Sequence, residues 1–199
     1  MAARSGSVQR RTRETNVSVA LAVDGSGRAD IRTGIGMLDH LLEQLAHHGL
    51  LDLTVTAEGD LERDPHHMVE DVAIALGHAL DQALGQRLGI VRMGHAIVPL
   101  DEALALVAVD LSGRGFAAVA AEFTGPRLGQ LPTQLIAHFL STFAVAGRLN
   151  LHARLLAGHD DHHRAEAIFK ALARSLAMAV QLDVRRRGQV PSTKGTLEA

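Results

Sequence analysis

From Asn16 onward apolar side chains alternate with polar ones. Val17, Val19, Leu21 and Val23 fall on one side of a period-two pattern, which predicts a half-buried β-strand. Asp24-Gly25-Ser26-Gly27 has the composition of a hairpin turn, so a third strand at Ala29–Arg32 is expected to come back beside the second. The polar, arginine-rich segment 8–15 reads equally as a charged edge strand or as a functional segment, and residues 1–6 as a loose terminus. The period then changes. Leu38, Leu41, Leu42 and Leu45 recur at helical spacing, and Gly49 marks a C-terminal stop. The opposite stripe of that helix carries His40, Gln44, His47 and His48. Alternation returns at Leu51, Leu53, Val55 and Ala57, and a second amphipathic helix over 65–84 turns Val69, Val72, Ala73, Leu76 and Leu80 inward.

The second half repeats this order. Apolar stretches at 93–98, 104–111 and 115–123, divided by Pro99 and by Ser112-Gly113, predict three strands. A helix over 132–146 sets His138 among Leu135, Ile136, Phe139 and Phe143, and a strand follows at 149–156. The last helix extends to about residue 182, with Ile168, Leu172, Leu176 and Val180 on its core side. Each half therefore reads β-β-β-α-β-α, one supersecondary unit used twice. The expected fold is α+β, an internal duplication with the helices packed between two sheets. Residues 7–92 form the first repeat, 93–184 the second, and 185–199 a C-terminal tail; Arg185-Arg186-Arg187 reads as a solvated helix end.

Composition narrows the chemistry. A chain of 199 residues with 47% hydrophobic content can build a core without staples. It has no cysteine, which excludes disulfides, thiolate metal sites, iron–sulfur clusters and thiol nucleophiles. A net charge of -2 lacks the cationic surplus of a general nucleic-acid binder, and the absence of Trp and Tyr removes stacking platforms for bases. The sequence shows no apolar run of membrane-spanning length, and Met-Ala-Ala-Arg-Ser-Gly lacks a hydrophobic signal core, so neither a membrane nor a nucleic-acid partner is expected and a cytoplasmic location is.

What remains is histidine. His66-His67-Met68-Val69-Glu70 opens the second helix, and the same pattern returns as His162-His163-Arg164-Ala165-Glu166 at the start of the fourth. On a helix, residues four apart lie within roughly 40° of each other while adjacent ones diverge by about 100°. His66 and Glu70 can therefore share one ion while His67 addresses another. Each pair has a further histidine upstream at nearly equal separation, His40 and His138. A single His-His pair is usually a surface accident; two copies with matched upstream histidines point to a metal site built from both halves. With no sulfur, the donors suit manganese, iron or zinc. His47 and His48 also fit as cations near a helix C-terminus.

Several ordered motifs resemble the imidazoleglycerol-phosphate dehydratase family of histidine biosynthesis. They are Arg13-Glu14-Thr15, Gly36-Met37-Leu38-Asp39-His40, segment 64–71, Gly89-Ile90-Val91-Arg92, Leu100-Asp101-Glu102-Ala103, Asp110-Leu111-Ser112-Gly113-Arg114, segment 162–170 and Pro191-Ser192-Thr193-Lys194-Gly195. Met68, Gln134 and Asp160 depart from residues common in the family, and none falls on a ligand position. The resemblance implies elimination of water from imidazole glycerol phosphate, giving imidazole acetol phosphate, at two manganese ions that bind the substrate ring as an imidazolate. It implies His40, His66, His67, Glu70, His138, His162, His163 and Glu166 as ligands. Glu14 becomes the candidate for proton transfer and substrate contact, with His48 a second candidate. Arg92, Arg114, Ser192 and Lys194 are implied for the phosphate, with Lys170 a further contact. The resemblance also implies a homo-oligomer of 24 subunits with active sites at subunit interfaces. A four-helix di-metal oxidase or storage protein would also carry His and Glu on helices, but it has no strands. A purely structural metal module would not need the Ser-Thr-Lys tail or the two arginines.

Overall fold

The structure, a computed structural model, describes residues 4–186 and 188–197. Arg187 of the triple-arginine run lies outside the described residues. The first half comprises β1 (Ser5–Arg11), β2 (Thr15–Ala22), β3 (Ala29–Arg32), α1 (Gly36–Gly49), β4 (Asp52–Gly59) and α2 (His66–Leu84). The second comprises β5 (Met93–Leu100), β6 (Ala103–Asp110), β7 (Phe116–Ala120), a short hairpin of β8 (Arg127–Leu128) and β9 (Leu131–Pro132), α3 (Gln134–Ala146), β10 (Asn150–Ala157) and α4 (Asp161–Ala179). The alternation and helical stripes thus formed the elements they predict. The β8–β9 hairpin was not expected; its turn holds Gly129 at φ +55, where a glycine relieves the strain of a left-handed backbone.

Both four-stranded sheets have the same topology, β1-β2-β4-β3 and β5-β6-β10-β7. In each, the third strand runs parallel to the fourth, with the intervening helix as crossover. This corrects the expected hairpin at 24–27, because β3 pairs with β4 and not with β2. The Asp52 carboxylate accepts the backbone N–H groups of Ser26 (2.7 Å) and Arg28 (3.1 Å), drawing that loop across the start of β4. Residues 4–6 are not loose either: Arg4 donates to Asp24 and to the Val180 carbonyl, and β1 starts at Ser5 as an edge strand. β7 ends at Ala120 and α4 at Ala179, each about three residues short of expectation. After α4 the tail folds back along residues 89–92, where Gln181 and Gln189 carbonyls accept from Val91 and Gly89. Arg185 and Arg186 there pair with Asp183 beside a single 3-10 turn, Val184–Arg186.

The helices fill the space between the sheets. α2 packs on β1 and β2, α4 on β5 and β6, while α1 faces α4 and α2 faces α3. Equivalent glycines make equivalent contacts: a Cβ on Gly6 would collide with the Ala79 carbonyl of α2, and one on Gly94 with the Ser175 carbonyl of α4. Phe139 joins α3 to α4 in the buried core, its ring centroid 6.3 Å from that of Phe143 and 5.6 Å from that of Phe169. Among the described residues no helix is long and apolar enough to cross a membrane.

Candidate metal centre

Both His-His pairs stand in the first turn of their helices, where backbone N–H groups have no helical partners. Asp64 Oδ1 accepts from His66 N at 2.7 Å, and Asp160 Oδ1 accepts from His162 N at 2.8 Å and His163 N at 3.2 Å. An aspartate two residues before each pair thus accepts free backbone N–H groups at the helix start, as the N-cap residue of α4 and one residue before the Pro65 N-cap of α2.

Each cluster crosses the halves. His66 and Glu70 on α2 meet His138 on α3, with the His138 Nε2 to Glu70 Oε1 distance 3.3 Å and the His66 and His138 ring centroids 4.6 Å apart. His162 and Glu166 on α4 meet His40 on α1, and Glu166 Oε1 lies 2.8 Å from Nε2 of both histidines. The upstream histidine of one half therefore serves the His-His-x-x-Glu segment of the other, because α1 faces α4 and α2 faces α3. The second histidine of each pair points away from these clusters, as its ~100° offset requires. His67 Nδ1 lies 3.3 Å from Glu14 and 3.9 Å from Asp60, while His163 Nδ1 hydrogen-bonds Glu102 at 2.8 Å. Asp71 holds the β1–β2 turn over α2, accepting from Arg10 Nε at 2.6 Å and from the Thr15 hydroxyl. That fixes Glu14 beside His67.

The electrostatics of the two clusters differ. Burial pushes the Glu166 carboxyl up, but the bonds from Lys170, His40 and His162 outweigh it and hold the pKa down to about 2. Lys170 Nζ is 2.6 Å from Glu166 Oε2. His138 Nε2 and His67 Nδ1 are buried without a hydrogen bond; their carboxylate neighbours at 3.3 Å lie outside bonding geometry. His48 accompanies Gln44, 3.1 Å away, and burial, reinforced by Lys170, His47 and Arg174, pushes its pKa down.

The expected phosphate contacts sit elsewhere. Arg92 spans Asp110 at 2.7 and 2.9 Å and the Pro191 carbonyl at 2.7 Å, anchoring the tail that carries Ser192 and exposed Lys194. Arg114 is exposed, and its carbonyl accepts from Asn150. Lys170 instead stands with the His40–His162–Glu166 cluster. Arg92 N donates to the Ala179 carbonyl, at the far end of α4 from His162. At about 1.5 Å per residue that is roughly 25 Å, so one chain keeps its candidate metal ligands and its tail group apart. Asp60 and Glu102 received no role from sequence. Glu102 could have been found by aligning the halves, since it occupies in the β5–β6 turn the place of Glu14 in the β1–β2 turn.

The model of the imidazoleglycerol-phosphate dehydratase family matches residues 33–176. The Roseiflexus imidazoleglycerol-phosphate dehydratase is 57% identical over 98% of this chain and 98% of its own length. That of Chloroflexus aggregans is 58% identical over 98% of this chain and 95% of its own. Among solved structures, the Staphylococcus aureus enzyme superposes with a TM-score of 0.82 at 32% identity, covering 90% of this chain and 99% of the other. The Pyrococcus furiosus enzyme gives 0.81 at 34% identity, covering 95% and 99%. With the paired clusters and this similarity along nearly its whole length, the chain belongs to the imidazoleglycerol-phosphate dehydratase family, lyases of histidine biosynthesis.

Proposed function

We propose that the protein removes water from imidazole glycerol phosphate to give imidazole acetol phosphate, using two manganese ions per active site. The observation that carries this reading is the pair of matching clusters, each offering two imidazoles and one carboxylate from both halves of the chain. The donor set fits a divalent ion of the manganese, iron or zinc group. A buried imidazole nitrogen left without a hydrogen bond is costly, and a cation among these donors would satisfy His138. His40, His162 and Glu166 would hold one ion, and His66, Glu70 and His138 the other. His67 and His163 would serve ions seated on neighbouring copies. Bound at the substrate ring, the ions supply the positive charge that makes the carbon-bound proton beside it removable.

The protein's own groups do the rest. Glu14, with its side chain 43% exposed and beside His67, would take or return that proton. His48, whose pKa is pushed down chiefly by burial, would be a second proton acceptor on the α1 face. Arg92, Arg114, Ser192 and Lys194 would bind phosphate, with Lys170 a further cation. The roughly 25 Å between α4's two ends is far longer than a three-carbon phosphate, so a substrate held by both groups lies between copies. A homo-oligomer, 24 subunits in the reading drawn from family resemblance, provides those copies. A small-molecule biosynthetic step of this kind fits a cytoplasmic location.

A direct assay for the acetol product tests the reading. Activity is expected with Mn²⁺, lost on chelation and recovered on adding Mn²⁺ back. Failure to form the acetol overturns the reaction, and full turnover by metal-free protein overturns the metal requirement.

A further inference from the structure

The Leu100–Ala103 turn joins β5 to β6 and reaches the start of α4. Glu102 there uses both carboxylate oxygens: Oε1 accepts the backbone N–H groups of His159 (3.1 Å) and Asp160 (2.8 Å), and Oε2 faces His163 Nδ1 at 2.8 Å. An ionised carboxylate can only accept, so His163 Nδ1 must carry the proton of that bond. In the neutral ring Nε2 is then left with its lone pair. The Asp101 oxygen nearest to Nε2 is 3.9 Å away, beyond hydrogen-bonding distance. We infer that Glu102 is a positioning residue that fixes the tautomer and aim of His163, presenting Nε2 as a metal ligand.

This rests on the metal reading above but goes beyond it. The same carboxylate also holds the approach to α4, because Asp160, whose N–H it accepts, caps the helix carrying His163. In the first half the equivalent turn places Glu14 beside His67, where His67 Nδ1 has no hydrogen bond and Glu14 is the more exposed, 43% against 27% for Glu102. One turn carboxylate is locked by three hydrogen bonds and the other, 3.3 Å from His67 Nδ1, is free of side-chain hydrogen bonds among the described residues. The locked one orients a ligand, and the free one can move a proton. A carboxylate behind a metal-bound histidine typically changes metal affinity 10- to 100-fold.

Glu102→Gln preserves shape but cannot satisfy all three donors. If its amide oxygen keeps the two backbone N–H groups, its NH₂ faces His163 and favours the tautomer with the proton on Nε2. Solid-state ¹⁵N NMR of histidine-labelled protein, with His163 assigned by its loss in His163→Asn, should show Nδ1–H in the metal-free wild type and a change in the variant. Equilibrium dialysis should show Mn²⁺ affinity falling about 10- to 100-fold, and high Mn²⁺ should restore most of kcat. Glu102→Asp, a shorter acceptor, should recover part of the affinity. A wild-type His163 protonated on Nε2 overturns the inference even if the variants fail to fold, as does unchanged affinity and tautomer in Glu102→Gln. Wild-type protein that binds no Mn²⁺ instead overturns the metal reading while leaving the tautomer result to stand or fall separately.

Discussion

The two clusters have the same donors and unlike neighbours. One turn beyond Glu166 stands Lys170, and a turn further Arg174; the corresponding positions beyond Glu70 are Ile74 and His78. On the facing helices, His47 and His48 follow His40 where Val145 and Ala146 follow His138. The α2–α3 side accordingly opens into a cavity of about 820 Å³ lined by Ile74, His78, Thr142 and Val145, while the α1–α4 side carries a row of cationic and polar groups. The two halves share the candidate donors and differ in what surrounds them. Glu166 is held by three partners and Glu70 by none in bonding geometry among the described residues.

The largest effects should come from the shared donors. Glu70→Gln and Glu166→Gln are each expected to lower turnover more than about a hundredfold, since even groups behind a ligand are worth 10- to 100-fold. Each should deplete bound manganese on metal analysis, and the exposed Glu58→Gln should do neither. A silent substitution at either glutamate would break the equivalence of the two clusters. Next, Glu14→Gln should lower kcat by about 10²- to 10⁴-fold with manganese content intact, a separation that metal analysis alongside steady-state kinetics would reveal. Lys194→Ala should cost about one to two decades of kcat/KM, as expected for one charge-assisted contact worth roughly 1.5–3 kcal/mol, again without metal loss. Reduced manganese with normal kinetics would remove Lys194 from the phosphate site.

The smallest effect sharpens the difference between the halves. Glu166's folded pKa is lowered from 4.5 to about 2, so its contribution to metal-free stability is complete above its unfolded value and is lost as pH falls from about 4.5 toward about 2. Denaturant melts of chelated protein should show this acid limb weakened in Glu166→Gln and retained in Glu70→Gln. Equal limbs in both variants would mean that Lys170 does not distinguish the clusters.

Much of this was legible in sequence. Val17 to Val23 and Leu38 to Leu45 name their elements because burial enforces periods that local geometry fixes. The repeated His-His-x-x-Glu names its donors because spacing on a helix sets direction. Strand neighbours are another matter: alternation tells which face of β3 is buried and not which strand lies beside it, so a plausible Asp-Gly turn misassigned its pairing. The exchange of His40 and His138 between halves depends on which helices pack together, a tertiary fact with no local signature. Glu102 was hidden for the opposite reason. It sat within a motif already noticed, but its role appears only when its turn is compared with that of Glu14.

The most direct test of the account is a titration of Mn²⁺ into rigorously metal-free protein, following bound metal per chain, acetol formation and mass by light scattering together. Two ions per chain are expected, filling in step with turnover, in a species far heavier than the 21.2 kDa chain. A single ion per chain at saturation, or full activity from a metal-free monomer, would contradict it.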